Sequence, residues 1–181
     1  MKRVLLLAGL APLLLAGCDE GAPKSIEVKM MNAAGDEVGT AEVSQQPAGM
    51  QIKINAKGFE PGPHGFHIHE VGTCKAPDFS SAGNHFNPEG KEHGLLNPKG
   101  AENGDLPNLV ADEQGVIKAE ILAPNASLNE GKSTIRRKNG AALIITADPD
   151  DGMSQPTGKS GKRLACGVIV QKSTAYNKEK K

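Results

Sequence analysis

Tryptophan is absent from this 181-residue chain, tyrosine occurs once and phenylalanine four times, so aromatic side chains make up only 3% of it. An excess of charge is also missing, because 21 Lys and Arg balance 21 Asp and Glu to a formal net charge of zero. With no basic surplus and no basic stripe interleaved with aromatics, the chain carries no nucleic-acid footprint. The apolar run at residues 4–15 is too short to cross a bilayer comfortably. Cysteine is scarce, at three residues.

Glycine and proline are plentiful instead, with 22 and 12 residues. Together with the shortage of large rings, they suit many short strands joined by turns better than packed helices. Residues 25–31, 38–43 and 50–56 each alternate apolar and polar side chains with period two, separated by turn residues. Three such strands in succession, each with one polar face, open a sandwich or barrel. Further strands are expected at Leu109–Ala111, 116–122, Ala141–Thr146 and 163–171. With the strand that carries His67 and His69, the count is about eight. Two excursions without sustained periodicity interrupt the set, at 71–106 and 147–162. A structureless stretch as long as the first is uncommon in a compact domain unless it is functional.

The N-terminus reads as a processing signal. Lys2 and Arg3 precede the apolar run, and Leu15-Ala16-Gly17-Cys18 resembles a bacterial lipobox. On this reading residues 1–17 are a signal peptide, Cys18 is the lipid-bearing first residue of the mature chain and 18–24 form a tether. The expected location is the cell membrane, lipid-anchored and facing the extracytoplasmic space, where disulfides persist. One domain then occupies 25–171, and the lysine-rich residues 172–181 form a polar tail.

All five histidines fall between Pro63 and Pro98. His67 and His69 are one residue apart, so on a strand both imidazoles point to the same side and can grip one metal ion. His85, in Asn84-His85-Phe86-Asn87-Pro88, and His93, in Glu92-His93-Gly94, follow on the long excursion. Imidazole suits copper and zinc, and a carboxylate can complete a zinc tetrahedron.

The run Gly65-Phe66-His67-Ile68-His69-Glu70-Val71-Gly72 resembles the first signature of copper/zinc superoxide dismutases. Gly158-Lys159-Ser160-Gly161-Lys162-Arg163-Leu164-Ala165-Cys166-Gly167 resembles the second. The resemblance implies an all-β, eight-stranded Greek-key barrel, a sandwich-like fold of immunoglobulin type, with two long metal-site loops. It implies that His67, His69 and His85 bind copper, with His85 bridging to zinc, which is also held by His93 and Asp105. Asp150 is expected to link a copper histidine to a zinc histidine, and His64 to bond the main chain rather than metal. Arg163 is expected to guide the superoxide anion, and Cys74 and Cys166 to form a disulfide. Family members also form homodimers, through different surfaces in different branches.

Two positions depart from the family pattern. Thr146 stands where a fourth copper histidine is expected, and Glu102 where a third zinc histidine is expected. Glutamate is a competent zinc ligand, whereas a threonine hydroxyl is a poor copper ligand at neutral pH. The expected activity is dismutation of superoxide at an altered site, and the alternative is a non-catalytic zinc- and copper-binding lipoprotein. The lipobox itself has a direct test. Mass spectrometry of detergent-extracted protein is expected to find Cys18 as the first residue, carrying the mass of a lipid; an unmodified Cys18 would exclude the anchor.

Overall fold

The computed structural model describes residues 25–170. The signal segment, Cys18, the tether and the polar tail lie outside the described residues. Within them the chain forms nine strands: β1 Ser25–Asn32, β2 Glu37–Gln46, β3 Gly49–Lys57, β4 Gly62–His64, β5 Phe66–His69, β6 Leu109–Ala111, β7 Val116–Ala123, β8 Ala141–Thr146 and β9 Arg163–Val170. One 3-10 turn, Ser80–Ala82, lies in the first long loop, and the second loop joins β8 to β9.

The pairing is antiparallel throughout, in the order β4-β6-β7-β3-β2-β1-β9-β8-β5. The two strands at the ends of this order, β4 and β5, are consecutive in the chain and separated only by Gly65. The sheet therefore curls until its first and last strands belong to one stretch of backbone, which leaves a nearly closed barrel.

The eight strands expected become nine because the strand bearing His67 and His69 breaks at Gly65. There the backbone leaves β6 and joins β8: Gly65 N donates to Asp148 O at 2.9 Å, and Thr146 N donates to Gly65 O at 2.9 Å. A Cβ at this corner would fall on the Thr146 hydroxyl and lie 2.9 Å from Ser160 Cβ, so only glycine fits.

Alternation decides what faces inward. Met50, Ile52, Ile54 and Ala56 of β3 are buried while Lys53 and Asn55 between them are exposed. Strand β8 is buried along its whole length because it has a core on each side. Leu143 and Ile145 pack into the barrel, whereas Ala142 and Ile144 join Phe79, Ala82 and Cys166 in a second cluster outside it. The Cys74–Cys166 disulfide lies in this outer cluster and fastens the first long loop to β9 across a sequence separation of 92 residues. In the chain-entropy account, closing so long a loop contributes about 4–5 kcal/mol.

Gly65→Ala should overpack the barrel corner and cost about 1–3 kcal/mol of stability. Denaturant unfolding of the metal-free protein measures it, and an unchanged midpoint would show that the corner has room.

Candidate metal centre

Strand β5 sends successive side chains to opposite sides of the barrel wall. Phe66 and Ile68 enter the core, and His67 and His69 emerge on the outer side, yet both rings are buried because the long loops cover them. One edge of β5 pairs with β8. Its other edge holds the first loop: Ile68 N donates to Gly104 O at 2.9 Å, and Phe86 N donates to Ile68 O at 2.8 Å. Asp105 is thereby placed opposite His67, and His85 opposite His69. Gly104 is required for this approach, since a Cβ would strike the Ile68 carbonyl.

Two ligand clusters result, and they share a ring. His67, His69 and His85 form the first, with one ligand atom from each all within 4.8 Å of one another. His85, His93, Glu102 and Asp105 form the second to the same criterion. The His67 and His85 rings stack with centroids 4.1 Å apart. His85 Nδ1 donates to Glu102 Oε2 at 2.9 Å and Asp105 Oδ1 at 3.1 Å, which leaves Nε2 on the opposite side of the ring. His93 Nδ1 donates to Asp105 Oδ1 at 2.8 Å. Asp150 links the clusters, accepting from His67 Nε2 at 2.7 Å and from His93 Nε2 at 3.2 Å.

Burial and these partners divide the rings into two kinds. Burial holds His67 below its ordinary range despite the bond to Asp150, and it holds His69 well below, with the nearby His85 and Arg163 charges adding to the effect. Both rings are therefore neutral at pH 7, with an electron pair to offer. Burial also opposes charge on His93, but hydrogen bonds to Asp105, Asp150 and Glu102 outweigh it and raise the ring to about 11. His85 is raised in the same way by Asp105 and Glu102. Burial would push the carboxyls of Asp105 and Asp150 up, yet the bonds from the histidines hold both far below the usual range. In the metal-free protein, protons on His85 and His93 thus stand where a cation would balance Glu102 and Asp105.

Arg163 lies at the start of β9, half-buried. Its guanidinium donates to Phe79 O at 2.7 Å and to Gly83 O at 2.9 Å. The same Gly83 carbonyl accepts from His69 Nδ1 at 3.0 Å. Arg163, His85, Glu102, Glu70 and Thr157 line a cleft of about 360 Å³ that opens onto the shared ring.

Residues 37–169 match the family model described as Copper/zinc superoxide dismutase (SODC). The chain belongs to this family. It is 44% identical over 159 residues to Superoxide dismutase [Cu-Zn] 2 of Aquifex aeolicus, covering 87% of this chain and 93% of that one. It is 40% identical over 190 residues to the Superoxide dismutase-like protein YojM of Bacillus subtilis, covering 94% and 97%. The crystal structure of a SOD-like protein from Bacillus subtilis superposes with a TM-score of 0.77 at 42% identity, covering 79% of this chain and 97% of that one.

The residues present fit the two metals of a copper/zinc superoxide dismutase. His67 Nδ1 is a buried ring atom with no hydrogen-bond partner, left bare beside the first cluster, and a polar atom in that position needs a ligand. The second cluster offers two imidazoles and two carboxylates, a donor set suited to zinc. Thr146 is buried, but its hydroxyl donates to Asp148 O at 3.2 Å. His64 belongs to neither cluster; its ring nitrogens lie 2.8 Å from the carbonyls of Thr146 and Glu60. Three amide side chains of the site are not singled out by the sequence. Asn87 holds Glu102, Asn108 exchanges two hydrogen bonds with the Asp150 main chain, and Gln155 does the same with the His93 main chain.

Because the raised His85 and His93 must give up protons to a cation, zinc added to the metal-free protein at pH 7 should release protons. Its affinity should rise with pH through the neutral range. Competition titrations with a chromophoric chelator measure this, and an affinity independent of pH would rule out the exchange.

Proposed function

We propose that the chain is an exported superoxide dismutase with an altered ligand set, anchored through a lipid on Cys18 and facing the extracytoplasmic space. The observation that carries this reading is the shared His85 ring, which belongs to both clusters and borders a cleft that holds a fixed cation. His67, His69 and His85 would hold copper, and His85, His93, Glu102 and Asp105 would hold zinc. Bound copper supplies one-electron redox chemistry and zinc a fixed positive charge, so that two superoxide anions and two protons become oxygen and hydrogen peroxide.

The chain's own residues arrange the rest. Arg163 draws a small anion into the cleft, an attraction that salt weakens. Asp150 accepts from the Nε2 of His67 and of His93, which fixes both rings and keeps the Nδ1 of His67 as the electron-pair donor. Glu102 and Asp105 fix His85 through Nδ1, so its Nε2 can hold a proton at the floor of the cleft.

A second reading, a dismutase-like zinc- and copper-binding protein without useful catalysis, is supported by Thr146. Its hydroxyl is taken by the Asp148 carbonyl, so the first cluster has three nitrogen donors where the family pattern has four. Three imidazoles suit Cu(I) better than the tetragonal Cu(II) state.

Purified mature protein loaded with copper and zinc should dismutate superoxide above the level of free buffer. Thr146→His should tighten copper by about 10-fold or more. Wild-type protein that binds both metals yet stays at the buffer rate, while Thr146→His gains activity, would establish the second reading.

A further inference from the structure

A carboxylate binds a cation through one oxygen or through both, and the choice sets the coordination number. Zinc is held by four ligands, whereas larger hard cations take six or more oxygens. In the second cluster each carboxylate has one oxygen turned inward and the other tied away from the site. Asp105 directs Oδ1 at the Nδ1 atoms of His85 and His93, while its Oδ2 accepts from Gly94 N at 2.8 Å and Glu102 N at 3.0 Å. Glu102 directs Oε2 at the same two nitrogens, at 2.9 and 3.4 Å, while its Oε1 accepts from Asn87 Nδ2 at 2.9 Å.

We propose that Asn87 is a specificity-determining positioning residue: by holding Glu102 Oε1 out of the cluster it confines Glu102 to one metal bond and keeps the centre four-coordinate. The inference rests on the reading of the second cluster as a zinc site. It accounts for how a glutamate serves where the family pattern has a histidine, since a carboxylate with one oxygen tied supplies a single donor, as an imidazole does. Main-chain amides do this for Asp105, but for Glu102 it is done by one side chain. That side chain is itself anchored, with Oδ1 accepting from Lys91 N at 3.0 Å and Nδ2 also donating to Lys91 O at 2.7 Å. Its amide group therefore cannot turn away from Glu102 without giving up both bonds to Lys91.

Cobalt(II) tests this directly, because its visible bands are intense when four-coordinate and weak at higher coordination. One equivalent of cobalt(II) in the metal-free wild-type protein should give the intense spectrum. Asn87→Ala and Asn87→Asp, the latter keeping the acceptor for Lys91 N, should weaken it severalfold. Zinc affinity should drop about 10-fold, and manganese(II) should not weaken with it, so the preference for zinc narrows. With Glu102→His already in place, Asn87→Asp should leave the cobalt spectrum unchanged. Variant spectra identical to wild type, or equal losses in both backgrounds, would overturn the role of Asn87 and leave the zinc site standing. A wild-type chain that takes up neither cobalt nor zinc would remove the zinc site and the inference together.

Discussion

The site depends on charged carboxylates held in places that water barely reaches. The Asp105 side chain is 1% exposed and that of Asp150 8%. A buried carboxylate is costly unless it is paired, and removing one partner of a buried pair typically costs about 3–5 kcal/mol. Here the partners are imidazoles from three separate segments, β5, the His85 turn and the His93 turn. Electrostatic necessity and loop geometry are therefore one constraint, because the carboxylates stay satisfied only while the segments remain together.

That constraint explains how the first loop keeps its shape with only one short turn of regular structure. Its backbone is laid along the free edge of β5, its disulfide is anchored in a small apolar cluster on the outer side of β8 and β9, and its histidines are tied to Asp105 and Asp150. The second loop is joined to the first by amide side chains that exchange paired hydrogen bonds with main chain, Asn108 with Asp150 and Gln155 with His93. The barrel supplies a rigid wall, and the ligands are arranged on its outside by pieces that have no fold of their own.

The parts legible in the sequence are those governed by period and by side-chain chemistry. Phe66-His67-Ile68-His69 announces two core residues and two ligands, because a strand alternates and imidazole binds metal. The long strands follow from the same alternation. The resemblance to the family supplied the disulfide partners, the linking carboxylate and the arginine of the cleft, none of which spacing alone could pair. The break at Gly65 escaped notice because a glycine inside an alternating run does not tell which neighbour each half will pair with. Asn87, Asn108 and Gln155 escaped because an amide that bonds distant main chain leaves no periodic trace. Their partners are set by tertiary contact. The sequence does reveal Thr146 and Glu102 as departures, but only the geometry shows where their oxygens go.

The carbonyl of Gly83 receives both the His69 ring and the Arg163 guanidinium. A single oxygen atom is thus the common datum from which a metal-ligand imidazole and the cleft's cation are measured. His69 stands on β5 and Arg163 at the start of β9, so this one loop oxygen ties together two strands that do not pair with each other. Displacing that carbonyl would leave a buried ring and a half-buried guanidinium short of an acceptor in one stroke.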